Sequence, residues 1–283
     1  MTVGVIHLGG QTQARTSTIA ERHCWLAAGG RFQAFALALA GIAGFFALWQ
    51  LGGWLIASNP RTAAFAGFAP LPSLTRLAEM TASGEVWQMT APSLWRVGQG
   101  LFWAIVTGVP LGILISRSRI ACEVTNLPFQ FLRMISPLAW MPVAVLAFST
   151  WDGAIVFLIT AAAVWPVLFS TAAGVRRIDQ AWLMVARNLG AGRFQMLKTV
   201  ILPAISQEVL TGVRLALGVA WIVLVPAEYL GVKSGLGYAI NDARDTLEYD
   251  RLAATVLVIG TIGFALDAIC LALLRRFSWQ RDQ

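Results

Sequence analysis

Between Arg176 and Pro203 the sequence reads RRIDQAWLMVARNLGAGRFQMLKTVILP, a polar and basic stretch flanked by apolar segments long enough to cross a bilayer. Asp179 is placed to cap a helix, and the apolar residues that follow recur at 3.6-residue spacing. Gly190 and Gly192 then permit a sharp turn, because glycine accepts positive φ. We therefore predict two short helices joined by glycines, with Pro203 ending the loop. The pattern fits a docking element for a soluble partner, and it also fits an ordinary amphipathic helix at a membrane surface.

The composition is typical of a membrane protein. Of 283 residues, 57% are hydrophobic and 12% are charged, whereas a soluble domain carries about 25% charged residues. The net charge of +7 is explained by basic residues that lie beside the apolar segments. We therefore predict membrane lipid, and no nucleic acid, as a partner.

Several kinds of catalytic site are excluded. Cys24, Cys122 and Cys270 are isolated, so neither a metal site nor a disulfide framework is indicated. His7 and His23 both precede the first apolar segment, which leaves no Ser/His/Asp or Cys/His set. The sequence has no GxxxxGK[ST] phosphate loop. We predict a chain that is not an enzyme and binds no cofactor of its own.

Hydropathy predicts an all-α polytopic membrane protein with about six transmembrane helices. The first is interpreted as a retained span and not as a signal peptide. The third contains three prolines and is expected to be kinked or broken. The predicted spans are Phe35–Ala57, Trp95–Ile115, Thr125–Phe148, Gly153–Gly174, Ile205–Ala227 and Leu252–Leu274.

Basic residues predict the orientation. With both termini in the cytoplasm, most arginines and lysines lie inside, as the positive-inside rule requires. The 176–203 loop is then cytoplasmic, while Ser58–Ser93 and Gly231–Arg251 lie outside. The expected location is the bacterial inner membrane, crossed several times.

A stripe of polar or small side chains follows the fifth span at helical spacing. It is a candidate translocation path in which Arg214 lowers the barrier for an anion. The alternative is a packing face between helices, with Arg214 paired to Asp267 or bonded to carbonyls. The members of the stripe are Gln207, Thr211, Arg214, Gly218 and Trp221.

Arg133, Pro137 and Trp140 share a face of the third span. Prolines there free backbone carbonyls, so the kink is either a gate in the path or a bend fixed by packing. Glu228, at the outer end of the fifth span, is either a gate or a contact for an external partner.

The loop resembles the E-A-A-x3-G-x9-I-x-L-P motif of binding-protein-dependent ABC importer permeases. Leu202 and Pro203 match the motif fully, whereas Met184 stands where the motif has Glu. The corresponding positions are, in order, Met184, Val185, Ala186, Gly190, Val200, Leu202 and Pro203.

This resemblance implies that the loop couples the permease to cytoplasmic ATPase subunits, which hold ATP and Mg. It also implies a periplasmic or lipid-anchored substrate-binding protein and a second permease copy that forms a homodimer. The implied ATPase-coupling residues are Asp179, Met184, Ala186, Arg187, Gly190, Ala191, Gly192, Arg193, Leu202 and Pro203.

Two further stretches, Phe131–Phe148 and Ala227–Asp245, resemble the nitrate/sulfonate/taurine group of these permeases. The ISPLAW piece at Ile135–Trp140 is similar to nitrate-type members, which implies import of nitrate or of nitrite, cyanate or bicarbonate. A sulfonate or taurine permease is one alternative, and an ion-driven secondary transporter is another.

The expected organisation has four parts. Residues 1–34 form a cytoplasmic N-terminal segment, and residues 35–94 hold the first span with a periplasmic surface segment. Residues 95–279 form the permease core, and residues 280–283 form a C-terminal tail.

Overall fold

A computed structural model describes residues 30–116 and 118–279. All regular structure in these residues is helical, which confirms the predicted fold class. Two 3-10 turns, Ala63–Phe68 and Pro137–Trp140, and a π-helical turn, Leu197–Ile201, join the α-helices. In chain order the α-helices are α1 (Gly30–Ser58), α2 (Pro70–Ala82), α3 (Glu85–Ser116), α4 (Arg119–Met134), α5 (Met141–Ala147), α6 (Trp151–Arg176), α7 (Gln180–Asn188), α8 (Arg193–Met196), α9 (Leu202–Gly231), α10 (Leu236–Asp245) and α11 (Tyr249–Trp279).

Among the described residues, five helices are long and apolar enough to cross a membrane, and a bent pair raises the number to six. This agrees with the predicted six spans, although most of the observed helices extend beyond the predicted limits. The candidate spans are Phe35–Ser58, Glu85–Ser116, Trp151–Arg176, Arg193–Gly231, Tyr249–Arg276 and the bent pair Ile120–Met134 with Pro137–Ala147.

The predicted break in the third span is confirmed. The two segments of the pair meet at 86°, and the break lies at Ile135 and Ser136. Both residues have extended backbone, with ψ of 126° and 129°. Ser136 precedes Pro137, and a residue before proline is disfavoured in the α region. Pro128, in contrast, lies inside α4 without interrupting it.

The chain divides at Pro70 into two compact units. In the unit that ends there, α1 exposes nearly all its apolar side chains, including Phe35, Leu37 and Leu48. A helix that is apolar on every side suits a lipid environment. The indole N–H of Trp49 donates to the Phe68 carbonyl at 2.7 Å and ties this helix to the following 3-10 turn.

In the second unit, α6 is the central helix and packs along α3 and α9. Small residues of α3 recur every fourth position at Gly100, Ala104, Gly108 and Gly112. A Cβ on Gly100 would lie 2.3 Å from Ile159 Cγ2, so only glycine permits this separation of the helices. Small residues at such spacing let membrane helices approach closely.

Helix α9 packs against α6 in the same manner. A Cβ on Gly212 would lie 2.7 Å from Ser170 Cβ, and Ala216 and Ala220 are fully buried one and two turns later. The three helices therefore form a block held by close backbone contact, which fixes the positions of the side chains described next.

Candidate functional site

The first half of the 176–203 loop forms α7 as predicted. Asp179 Oδ1 accepts a hydrogen bond from the Ala181 N–H at 2.9 Å, which confirms the predicted cap. The helix ends at Gly190, whose φ is +80°. The N–H groups of Gly190 and Ala191 donate to the Arg187 and Ala186 carbonyls at 2.9 and 3.0 Å, the paired bonds of a Schellman motif.

The second half differs from the prediction. Helix α8, the π-helical turn and α9 follow one another without a gap, so one 39-residue segment runs from Arg193 to Gly231. A short helix at Arg193–Met196 is present as predicted, but the prediction that Pro203 separates the loop from the fifth span is wrong, because the helix continues through Pro203. Proline has no N–H to donate, and the π-helical turn directly before it already shifts the hydrogen bonds, with Leu202 N–H donating to Leu197 O. A helix with this local adjustment continues through Pro203.

Helix α7 exposes several apolar side chains, and Trp182, Val185 and Leu189 share one face of it at i, i+3 and i+7 spacing. Trp182, Met184, Val185 and Leu189 are between 55% and 81% exposed, and Phe194 beyond the Gly190 turn is 77% exposed. Of the other coupling residues, Asp179, Arg187, Gly190, Gly192, Arg193, Leu202 and Pro203 are exposed, while Ala186 and Ala191 are half-buried. An apolar face directed outward on a short helix requires a covering surface.

Some side chains of the predicted polar stripe on α9 are exposed, and others are packed against neighbouring residues. Gln207, Thr211 and Gly218 are exposed, so this face of the helix is open in the single chain. Trp221 is half-buried and packs against Gly263 of α11, where a Cβ would lie 2.7 Å from the indole nitrogen.

Arg214 forms a two-bond ion pair with Asp267 of α11. Arg214 Nε and Nη2 donate to Asp267 Oδ1 and Oδ2, both at 2.7 Å. This is the arrangement of the packing alternative, since the carboxylate neutralises the guanidinium. The pair lies beside the open Gln207–Gly218 face and links α9 to α11.

Arg133 lies on the last turn of α4, directly before the break. Its guanidinium stacks on the Phe169 ring at 5.2 Å from the centroid, and its side chain is otherwise exposed. Phe169 stacks in turn on Trp165 at 6.3 Å.

Trp165 also lines a cavity of about 170 Å³. Of the three residues predicted to share a face of the third span, Pro137 and Trp140 line this cavity and Arg133 does not. Its lining is mostly apolar and aromatic: Leu132, Ile135, Pro137, Trp140, Phe157, Ala161, Val164 and Trp165.

A buried ionic cluster was not foreseen from the sequence. Glu228 is fully buried and accepts hydrogen bonds from Arg96 Nη1 at 2.5 Å, Ser93 Oγ at 2.9 Å and the Gly237 N–H at 3.0 Å. Arg96, 4% exposed, also donates to Asp152 Oδ1 and to the Ser234 carbonyl. The burial of Glu228 excludes the interpretation that it contacts an external partner. The sequence signal was a pair of opposite charges, Arg96 and Glu228, at the outer ends of two predicted spans, because charges close to the apolar part of a span are seldom left unpaired.

This cluster marks the far end, the end of α3, α6 and α9 that carries Arg96, Asp152 and Glu228. The loop with α7 lies at the opposite end of the same helices, since α6 runs from Asp152 to Arg176. Within the described residues, no group of three or more His, Cys, Asp or Glu side chains is arranged to hold a metal ion.

Residues 104–279 match the family described as "Binding-protein-dependent transport system inner membrane component". The chain belongs to this family. It is therefore a multi-pass inner-membrane permease of an ABC importer and not an ATP-hydrolysing subunit, as predicted. A permease of this kind works with ATPase subunits and with a substrate-binding protein.

Three curated relatives indicate the branch of the family. The chain is 37% identical to the bicarbonate transport system permease protein CmpB of Synechococcus elongatus, covering 82% of this chain and 85% of the relative. It is 36% identical to the nitrate import permease protein NrtB of Leptolyngbya laminosa, over 67% of each. It is 37% identical to the taurine transport system permease protein TauC of Escherichia coli, over 68% of this chain and 70% of the relative. The chain is thus a permease of the nitrate/bicarbonate/taurine group.

A solved structure has the same fold. The inward-facing MetNI methionine ABC transporter superposes with a TM-score of 0.56 at 16% sequence identity, covering 66% of this chain and 93% of that chain.

Proposed function

We propose that this permease imports a small inorganic anion, nitrate in the first place, with nitrite, cyanate and bicarbonate as anions of the same class. In this proposal the 176–203 loop and both termini face the cytoplasm. ATP and Mg are held by the partner ATPase subunits, and the permease itself binds no cofactor. A periplasmic or lipid-anchored binding protein delivers the anion.

The observation that carries the proposal is the charge of Arg133. Arg96, Arg214 and Arg251 each have a carboxylate within 3 Å, whereas no carboxylate in residues 30–116 and 118–279 pairs with Arg133. An unneutralised guanidinium within a candidate span is costly in lipid, so it is expected to face water or an anion. Its planar fork suits the oxygens of a planar anion.

The names of the relatives support an anionic group as the common feature. Bicarbonate and nitrate are planar oxyanions, and taurine carries a sulfonate. The identities of 36–37% do not separate these substrates. The ISPLAW piece at Ile135–Trp140 lies at the break beside Arg133, which favours the nitrate interpretation over the sulfonate alternative.

Coupling to ATP is assigned to α7. Its exposed apolar face is suited to a groove on an ATPase subunit, and the exposed Arg187 and Arg193 belong to the same loop. One such loop is needed for each of two ATPase subunits, which favours a permease homodimer. The open Gln207–Gly218 face of α9 is then available to line a path between the two copies.

The experiment is uptake of labelled nitrate into proteoliposomes that hold the whole complex. We expect Arg133→Gln to lower the uptake rate by about tenfold or more, because removal of one charged hydrogen-bond donor to a desolvated anion typically costs about 1.5–3 kcal/mol. Arg133→Lys keeps the charge and should retain part of the rate. Arg76→Gln, which changes a partly exposed arginine outside the candidate spans, is the control and should transport normally.

Several results decide between the alternatives. Normal nitrate uptake by Arg133→Gln removes Arg133 from the path. Uptake of labelled taurine or of a labelled alkanesulfonate, without uptake of labelled nitrate, assigns the sulfonate alternative. Uptake that needs no ATP and is abolished by an uncoupler supports an ion-driven secondary transporter instead.

A further inference from the structure

Leu247 has an unusual backbone conformation. Its φ is +62°, and it is the one non-glycine residue with positive φ in the described part of the chain. The N–H groups of Leu247 and Glu248 donate to the Arg244 and Ala243 carbonyls at 3.2 and 2.9 Å. These are the same paired bonds that close α7, where the left-handed position is held by Gly190. A leucine therefore stands at a position that glycine or asparagine usually occupies.

The Leu247 side chain gains little from burial to offset this strain. It is 66% exposed, although α10 and α11 on either side pack against the rest of the unit. Strained residues that persist in a well-fixed backbone concentrate where a ligand or partner is bound. The strain and the exposure together indicate a side chain that is kept for contact.

The turn that carries Leu247 is held firmly from one side by Arg251. This arginine pairs with Glu85 at 2.7 Å, with Asp242 at 2.8 Å and with Glu248 at 3.3 Å, so it ties the turn to α3 and α10.

The other side of the turn is held by Arg244. Its guanidinium lies 5.2 Å from the centre of the Tyr229 ring, bonds the Tyr229 hydroxyl and pairs with Asp245. A rigid knob of this kind loses little conformational entropy when it binds.

The turn lies at the far end, because α9 ends there and α11 begins there. The exposed carboxylates of Asp245 and Glu248 flank Leu247. Arg244 pairs with Asp245, but Arg251 is shared by Glu85, Asp242 and Glu248, so the surroundings of the turn keep a net negative charge. Carboxylates at this position are repelled by an anionic lipid surface, whereas they complement a protein surface with basic residues around an apolar pocket.

We propose that Leu247 inserts into an apolar pocket, rimmed by basic side chains, on the substrate-binding protein of this transporter. The proposal rests on the proposed function in one respect, that the 176–203 loop faces the ATPase subunits, which leaves the far end to the binding protein. It does not depend on which anion is carried.

The test measures binding of the fluorescently labelled cognate binding protein to the complete complex in nanodiscs. Leu247→Asn keeps a residue that tolerates the left-handed conformation and removes the apolar knob. We expect about tenfold weaker binding, with the melting temperature of the complex unchanged or higher. Leu247→Gly should behave in the same way, while Leu247→Met keeps an apolar side chain and should bind within about threefold of the unmodified complex.

Wild-type affinity in both Leu247→Asn and Leu247→Gly overturns the proposal, and this is also the result expected if Leu247 only anchors the turn to lipid. Weaker binding together with a lower melting temperature in both variants overturns it as well, because the residue would then be structural. Failure of the proposed function can be distinguished from failure of this inference. In that case the unmodified complex would not take up nitrate, but the Leu247 variants would still differ in their affinity for the binding protein.

Discussion

Removal of the Glu228 carboxylate tests the buried cluster at the far end. Glu228→Ala leaves Arg96 buried with Asp152 as its remaining carboxylate, and the Asp152 side chain is 66% exposed. It also leaves the Ser93 hydroxyl and the Gly237 N–H without the acceptor that they share. Breaking a buried ion pair by removing one partner costs about 3–5 kcal/mol. At about 2–4 °C per kcal/mol for a chain of this size, the melting temperature should fall by roughly 6–20 °C.

The assay is thermal unfolding of the purified permease in detergent, followed by the fluorescence of its 12 tryptophans. Asp152→Asn is the matched control, because an exposed partner contributes at most about 1 kcal/mol. The double variant Arg96→Met/Glu228→Leu should recover part of the loss, since it buries no unpaired charge. If Glu228→Ala melts at the same temperature as Asp152→Asn, the cluster does not stabilise the fold and the reasoning is refuted.

Two glycine pairs give further predictions. Gly100→Ala should lower the melting temperature by several degrees, because the added Cβ would lie 2.3 Å from Ile159 Cγ2. Gly98→Ala is the control and should be neutral or slightly stabilising, because its Cβ would have nothing within 4 Å. Equal melting temperatures would contradict the packing of α3 on α6. Gly190→Val should disrupt the end of α7, because the φ of Gly190 is +80°, and should reduce ATPase stimulation by the reconstituted permease by about tenfold. Gly192→Ala is the control and should retain activity, because the φ of Gly192 is −66°. Full stimulation by the Gly190 variant would argue against the coupling role.

The apolar helices could be predicted from the sequence because hydropathy follows directly from composition. Trp151–Arg176 was predicted as Gly153–Gly174, within two residues at each end. In contrast, α3 begins ten residues before the predicted Trp95, because its first three turns carry polar residues that pack against other elements. Hydropathy alone does not detect a helix that continues past the apolar segment.

The errors at the site arise from contacts between distant residues. The sequence predicts that Pro203 ends the loop, because proline usually interrupts a helix. The π-helical turn that accommodates Pro203 cannot be predicted from that rule. Arg96 and Glu228 are 132 positions apart, so their pairing depends on the packing of α3 against α9. The Arg214–Asp267 pair was named as an alternative, since both charges lie on predicted spans, but choosing it required the positions of α9 and α11.

The unbroken segment from Arg193 to Gly231 has a mechanical consequence. Its 39 residues form a rod about 58 Å long at 1.5 Å per residue, and the Arg96–Glu228 cluster fixes one end of it. When the segment tilts about that fixed end, the displacement of each residue is proportional to its distance from the end. Gln207 lies about 32 Å from Glu228 and Gly218 about 15 Å, so a given tilt displaces Gln207 about twice as far. If the segment tilts together with the helices packed against it, movement of the loop produces its largest displacement near the loop and its smallest at the far end.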